Sequence, residues 1–369
     1  MIPHIIFHSE NESTYFPNFD FWDTAVNPSA PQSPKTSGIT QPPVHGFILK
    51  EIYDLHSSDP TVVDFVKAFI PKVKASHRYF YQYRDPDKEG LFYVYHPWGS
   101  GRDNSPIWDD SLDRISITEG SIPHYERKDT SHADASQRPS KEQYDRYVYL
   151  LELGKRHQYD GPGIAAESPL LIQDTLMNAV LIRSNQALIQ LGDDLGIDMA
   201  EVKEWNQQSK SAYRDKLWNA DGGYFASYDL RSNSLIQHRE IGGMVPIYTD
   251  IPSKQQADSI SQYIMDLHDR DYYVCPSFDV DSPLYDSKRY WRGPIWPQMN
   301  WMVHCGLQEH GYQQAAEIVR NDLVELVDRL GFYEYFEAQK SVSKTLATGY
   351  GGGDFSWTAS SIIDLILRS

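Results

Sequence analysis

Cysteine is scarce in this chain: there are two among 369 residues, Cys275 and Cys305. They form no Cys-x-x-Cys pair and no Cys/His ligand spacing, which excludes a disulfide-stapled scaffold or a zinc module and leaves two buried, reduced thiols as the expectation. Positive charge is also short, 34 Lys and Arg against 51 Asp and Glu, for a formal net charge of −17. Such a surface repels polyanions, so nucleic acid and an anionic membrane face are excluded as partners. No run of about twenty apolar residues occurs, so nothing in the sequence is built to cross a bilayer. The opening Met1-Ile2-Pro3-His4 has no basic segment followed by an apolar stretch, and no signal peptide is read there. Reduced thiols and the lack of a leader together predict a cytoplasmic protein.

What the chain has in quantity is aromatic: 25 Tyr, 14 Phe and 9 Trp, 13% of all residues. Ring faces stack on the C–H faces of sugars and also on one another in a core, so composition alone leaves both uses open. Residues 9–43 mix Pro, Ser, Asn and Thr with scattered rings, which predicts a long ordered loop rather than a linker. After Gln41-Pro42-Pro43, apolar residues recur at spacings of three and four. That periodicity predicts nine helices, over 44–56, 60–83, 141–157, 170–192, 199–217, 253–267, 295–309, 311–330 and 355–368. The stripe Ala257, Ile260, Ile264, Leu267 is one example. Strand-like residues are confined to 223–228 and 234–237, a predicted hairpin turning near Arg231-Ser232-Asn233. No strand alternates with each helix, which argues against a parallel α/β fold. The expected architecture is all-α: helix pairs forming a toroid with a small β-hairpin insertion, one domain over 1–369, with binding groups on loops gathered at one end.

Two remote segments each set a carboxylate among aromatics: Trp98-Gly99-Ser100-Gly101-Arg102-Asp103-Asn104-Ser105-Pro106 and Gly331-Phe332-Tyr333-Glu334-Tyr335-Phe336. Cleavage of a glycosidic bond needs such a pair, one acid to protonate the leaving oxygen and a second group to handle water or the sugar carbon. Taken alone, Asp103 in its Gly-containing turn is as readily a turn or cap residue. Glu334 lies past a predicted helix end, and the rings on both sides of it argue against full solvation. Asp109 and Asp110 compete with Asp103, and Glu337 competes with Glu334.

These two strings, together with Tyr290-Trp291-Arg292-Gly293-Pro294-Ile295-Trp296 and Gly351-Gly352-Gly353-Asp354-Phe355-Ser356-Trp357-Thr358-Ala359, occur in an order that resembles glycoside hydrolase family 63. Within that family the likeness is to the bacterial glucosylglycerate and mannosylglycerate hydrolases, and more distantly to trehalases. The resemblance implies an (α/α)6 barrel that hydrolyses α-linked sugars with inversion, acid and base lying about 6.5–9.5 Å apart. Asp103 matches the general acid and Glu334 the general base. For Asp103 to hold a proton near neutrality, burial against Trp98 or a neighbouring negative charge must raise its pKa. Trp291 and Trp296 match rings around the cleaved sugar, Tyr290 reaches toward the leaving group, and Trp98, Gly101 and Gln41 match further subsite positions. Arg138 and Tyr144, in Gln137-Arg138-Pro139-Ser140-Lys141-Glu142-Gln143-Tyr144, match a grip on the glycerate carboxylate, which arginine can bind through two parallel hydrogen bonds. His4 and Tyr15 add contacts from the early loop.

Arg292 has the alternative role of pairing a carboxylate beneath the site. Gly351-Gly352-Gly353 is not a phosphate loop, because no Lys-Ser/Thr follows; Asp354 is instead read as the cap of the next helix. The implied partner is a small carbohydrate, with no organic cofactor and no metal. Family members carry a further stretch ahead of the position of Met1, with the first helices of the ring and a Trp-Asp element. The ring is therefore expected to be incomplete at its N-terminus, and Phe21-Trp22-Asp23 stands in the wrong context to replace that element. Two alternatives stay open at this point: hydrolysis of another α-disaccharide, trehalose-like or a short α-glucoside, and a catalytically silent sugar-binding toroid.

Overall fold

Side-chain caps decide where the helices begin. The computed structural model describes residues 1–8, 16–129 and 134–367. Asp59 accepts from the Thr61 N–H, Ser140 from Gln143, Asp174 from Met177 and Ser253 from Gln256, each satisfying a donor that the first turn leaves unpaired. At Ser140 and Ser253 the glutamine three residues on bonds back to the cap, closing a capping box. The nine helices predicted from periodicity are present as His45–His56, Pro60–Tyr83, Lys141–Arg156, Thr175–Leu195, Ala200–Lys216, Lys254–Asp269, Pro297–Glu309, Gln313–Leu330 and Ser356–Leu367. Gly161–Glu167 is an additional helix, too short to display an apolar period.

The largest boundary shift has a local cause. The helix predicted over 170–192 starts at Thr175, because Asp174 caps it and Ile172–Gln173 is drawn into a small sheet. The predicted hairpin is also divided. Tyr224–Phe225 pairs backwards with Trp218–Asn219, whereas Tyr228–Asp229 pairs with Ser234–Leu235 on one side and Ile172–Gln173 on the other. Between the halves, the Ser227 hydroxyl accepts the Thr175 N–H at 3.1 Å, tying the run to the start of the adjacent helix.

Short connections fold 45–56 back on 60–83, 175–195 on 200–216, and 297–309 on 313–330 as helical hairpins. The 175–195 helix also packs on 45–56, and 297–309 on 356–367. Thr175–Leu195 is buried on nearly every side, including Leu176, Met177, Val180, Leu181 and Leu188, as a helix enclosed by others must be. Two large apolar clusters result. One holds Trp291, Trp296 and Tyr335 among the later helices; the other holds Trp22, Phe80, Trp98, Tyr144 and Tyr147. Cys275 and Cys305 are buried and unbonded to each other. Among the described residues, no helix is long and apolar enough to cross a membrane.

At Gly306 the 297–309 helix meets the turn Val245–Tyr248 so closely that an added Cβ would lie 2.3 Å from the Ile247 carbonyl oxygen. Gly306→Ala should therefore destabilise the fold by about 1–3 kcal/mol, the usual cost of overpacking. A thermal melt checks this, and an unchanged midpoint would show that the contact yields freely.

Candidate active site

The loop carrying Asp103 is held at several points by its own neighbours. Pro97–Ser100 makes one helical turn, started by His96, whose Nδ1 accepts the Trp98 N–H at 3.1 Å. The His96 proton is thereby assigned to Nε2, which donates to the Tyr147 carbonyl at 3.0 Å. Burial lowers the pKa of this imidazole to about 3, so it stays neutral. The turn ends at Gly101, whose φ of 74° is in the left-handed region that glycine enters without strain. Beside it, Gln41 donates from Nε2 to the Trp98 carbonyl at 2.6 Å.

Arg102 is buried with its guanidinium between Asp174 and Glu240. Glu240 also accepts from the Thr175 hydroxyl at 3.1 Å and the Gly242 N–H at 2.6 Å. Removing one member of such a buried set leaves an uncompensated charge, at a cost of about 3–5 kcal/mol. The Arg102 carbonyl takes the Trp108 indole N–H at 2.6 Å, and the Tyr147 hydroxyl donates to the Asp103 carbonyl. The backbone on either side of Asp103 is thus pinned, and its side chain faces open space.

Glu334 follows the end of the Gln313–Leu330 helix and is buried. Its backbone N–H donates to the Gly352 carbonyl at 3.0 Å, and the Gly352 N–H returns to Glu334 Oε2 at 3.3 Å. The Tyr290 hydroxyl reaches Oε1 at 3.4 Å, and Arg138 Nη2 lies 3.6 Å from Oε2. A Cβ at Gly351 would sit 2.3 Å from Glu334 Oε2, on a backbone with φ of 72°. The glycine run is therefore a cradle for this carboxylate. Asp354, expected to cap the next helix, stands instead in the left-handed region, with Phe355 between it and the helix start at Ser356.

Rings line the space between the two carboxylates. Trp291 and Trp296 are parallel at 3.8 Å between centroids, and the stack continues through Tyr335 at 4.9 Å from Trp296. Tyr290 stands edge-on to Trp296 at 5.1 Å, and the Arg138 guanidinium lies 4.6 Å from the Tyr290 ring centroid. A cavity of about 800 Å³ is lined by His4, Gln41, Gly101, Asp103, Tyr290, Trp291, Trp296 and Glu334, among others. A second, of about 280 Å³, is lined by His4, Gln41, Trp98, Asp103, Arg138, Tyr144 and Tyr290, with Phe16, Trp22, Lys128 and Asp129. Asp103 is on the wall of both. It shares the larger cavity with Glu334, and no hydrogen bond joins the two carboxyl groups among the described residues.

All the residues anticipated for the site are brought to these two cavities except Tyr15, which lies outside the described residues. Burial lowers the His4 pKa to about 4, keeping a neutral ring whose Nδ1 has no protein partner. Asp109, the competitor of Asp103, is engaged by Arg292 at 3.1 and 2.6 Å, which realises the structural alternative for that arginine. Asp110 is exposed, and Glu337 is buried and lines neither cavity. Trp22, in the Phe21-Trp22-Asp23 string set aside on its sequence context, has its indole 6.5 Å from that of Trp98 in the wall of the smaller cavity. Loop closure brings it there, which its local sequence context did not indicate.

Burial is the main reason that the Asp103 carboxyl is pushed up to about 7. The Glu334 and Asp129 charges add to this rise and Arg138 opposes it. A carboxyl that keeps its proton near neutrality has a proton to give.

The model for the mannosylglycerate hydrolase MGH1-like glycoside hydrolase domain matches residues 1–358. A mannosylglycerate hydrolase of Thermus thermophilus is 36% identical over 97% of this chain and 83% of its own length. The chain belongs to the MGH1-like glycoside hydrolases of family 63. A glucosylglycerate hydrolase of Mycolicibacterium hassiacum is 28% identical over 99% of the chain and 83% of its own length. The crystal structure of the family 63 mannosylglycerate hydrolase from Thermus thermophilus, in complex with Tris and D-glycerate, superposes with a TM-score of 0.90. It is 35% identical and is matched over 100% of this chain and 84% of that one. The mostly helical fold with small antiparallel sheets is thus that of family 63.

In this family 63 hydrolase the raised pKa of Asp103 has a cost in stability. With a native pKa near 7 against about 3.9 in the unfolded chain, the native state holds the extra proton between those values, so stability falls as pH rises through that window. Asp103→Asn removes the effect. The variant should melt above the wild type at pH 8, with the gap closing toward pH 4; a gap independent of pH would show that the carboxyl titrates normally.

Proposed function

We propose that this glycoside hydrolase cleaves the α-glycosidic bond of a hexosylglycerate, mannosylglycerate or glucosylglycerate, with inversion. Asp103 gives its proton to the glycosidic oxygen as the C1–O bond breaks, and glycerate leaves. Glu334 takes a proton from a water on the opposite face of the ring, and the resulting hydroxyl bonds to C1 to form the β-hexose. The observation that carries this reading is the position of Asp103 between the larger cavity and the smaller one, whose wall holds Arg138. A hexose beside Trp291, Trp296 and Glu334, with its glycerate in the smaller cavity, sets the scissile oxygen at Asp103. Arg138 has the donors for this: its Nε has no protein partner, and the Nη2 contact to Glu334 is long at 3.6 Å. The relatives named for mannosylglycerate and glucosylglycerate, and the D-glycerate complex of one of them, support the substrate class. In the same reading the helical hairpins belong to an (α/α)6 ring, and the whole chain serves as one catalytic domain.

Asp103→Asn and Glu334→Gln should each abolish turnover of the glycerate glycosides while the melting profile stays cooperative. Proton NMR of the wild-type reaction should show the β-anomer first; early α-anomer would mean retention and a different role for Glu334. Arg138→Ala should raise KM by about 10- to 100-fold for glycerate glycosides, the range expected for charge-assisted hydrogen bonds of 1.5–3 kcal/mol. The corresponding methyl α-glycosides should be far less affected. Equal effects on both substrates would remove the carboxylate grip.

A further inference from the structure

Asp103 and Glu334 are 231 residues apart in sequence, yet two hydrogen-bonded junctions join their segments. Asn104, buried beside Asp103, accepts the Trp291 N–H on Oδ1 at 3.0 Å. Four residues beyond Trp291, Ile295 exchanges backbone hydrogen bonds of 2.8 and 3.0 Å with Phe336. Phe336 is two residues from Glu334. Arg292 closes the junction: its Nη1 donates to the Asn104 carbonyl and to Asp109 Oδ1, both at 3.1 Å, and its Nη2 to Asp109 Oδ2 at 2.6 Å. One guanidinium therefore grips both ends of the 104–109 loop, immediately next to Asp103. Neither Arg292 nor Asp109 lines either cavity, so neither is a catalytic residue.

We infer that Arg292 and Asp109 form a positioning clamp that aims the Asp103 carboxyl across the sugar cavity at the glycosidic oxygen. The inference rests on the hydrolase reading above. Glu334 has its own hold, through Gly352 and Tyr290, so the clamp governs the acid rather than the base. A planar guanidinium bonds three acceptors at once in a fixed geometry, whereas a lysine ammonium at the end of a flexible stem cannot keep that fork. Without the fork the acid loop shifts, and a displacement of about 1 Å costs on the order of 100-fold in rate.

The test separates acid positioning from general damage by changing the leaving group. Glycerate departs as an alcohol and needs the Asp103 proton, whereas fluoride departs from an α-glycosyl fluoride with little proton transfer, water supplying the hydroxyl in both reactions. Arg292→Lys and Asp109→Asn should each lower kcat on the glycerate glycoside by about 100-fold with KM little changed, and lower the rate on the fluoride of the same sugar by less than about tenfold. The double variant should lose no more than the worse single one, since both remove one interaction. Asp109→Asn conserves size and supplies the test if Arg292→Lys fails to fold. Parallel losses on both substrates, or additive losses in the double variant, would overturn the clamp alone. A wild type inert on both substrates would overturn the hydrolase reading and the clamp with it.

Discussion

One buried cation organises this molecule. Arg102 lies between two carboxylates that each also begin a helical element: Asp174 caps the central Thr175–Leu195 helix through Oδ1, and Glu240 caps the turn Ile241–Gly243. The charge cluster therefore joins the start of the most enclosed helix, a turn that packs on it and the loop bearing Asp103. Replacing such a network with apolar residues of similar volume often leaves stability unchanged, so its value here is in position. It sets the backbone immediately before Asp103 without placing any charge partner on the Asp103 side chain.

The difference between the two carboxylates follows from that arrangement. Asp103 projects from a fully tethered backbone into a partly enclosed space where desolvation dominates. Glu334 sits against a backbone N–H, a phenol and a guanidinium. The stacked rings of Trp291, Trp296 and Tyr335 belong to a core cluster, and the two tryptophans also line the cavity wall, so site and scaffold share material. This sharing explains why composition alone could not separate cavity-lining aromatics from packing aromatics: several do both.

Much of the fold was legible because helix signals are local. Apolar spacing and caps such as Ser140 and Ser253 work within a few residues, and the nine predicted segments match the structure to within a few positions. The hairpin turning at 231–233 is present, but its first strand is shorter than predicted, because the pattern of 223–228 does not reveal that Ser227 is claimed by Thr175, fifty-two residues earlier. The close approach of the glycine run 351–353 to Glu334 depends on how the loops fold against each other, which the local sequence does not show. Asp354 looked like a cap because its type and position fit. Its backbone does not.

Residue types and their order determined the family and its building blocks: two carboxylates among aromatics, an arginine and a tyrosine at a helix start, and helices to carry them. Tertiary structure decided that the Asp103 carboxyl is desolvated, that it faces two cavities at once, and that Asp109 is occupied by Arg292. The physical reason is that desolvation and charge coupling depend on distance through space. The sequence encodes those distances only through the closure of the whole chain.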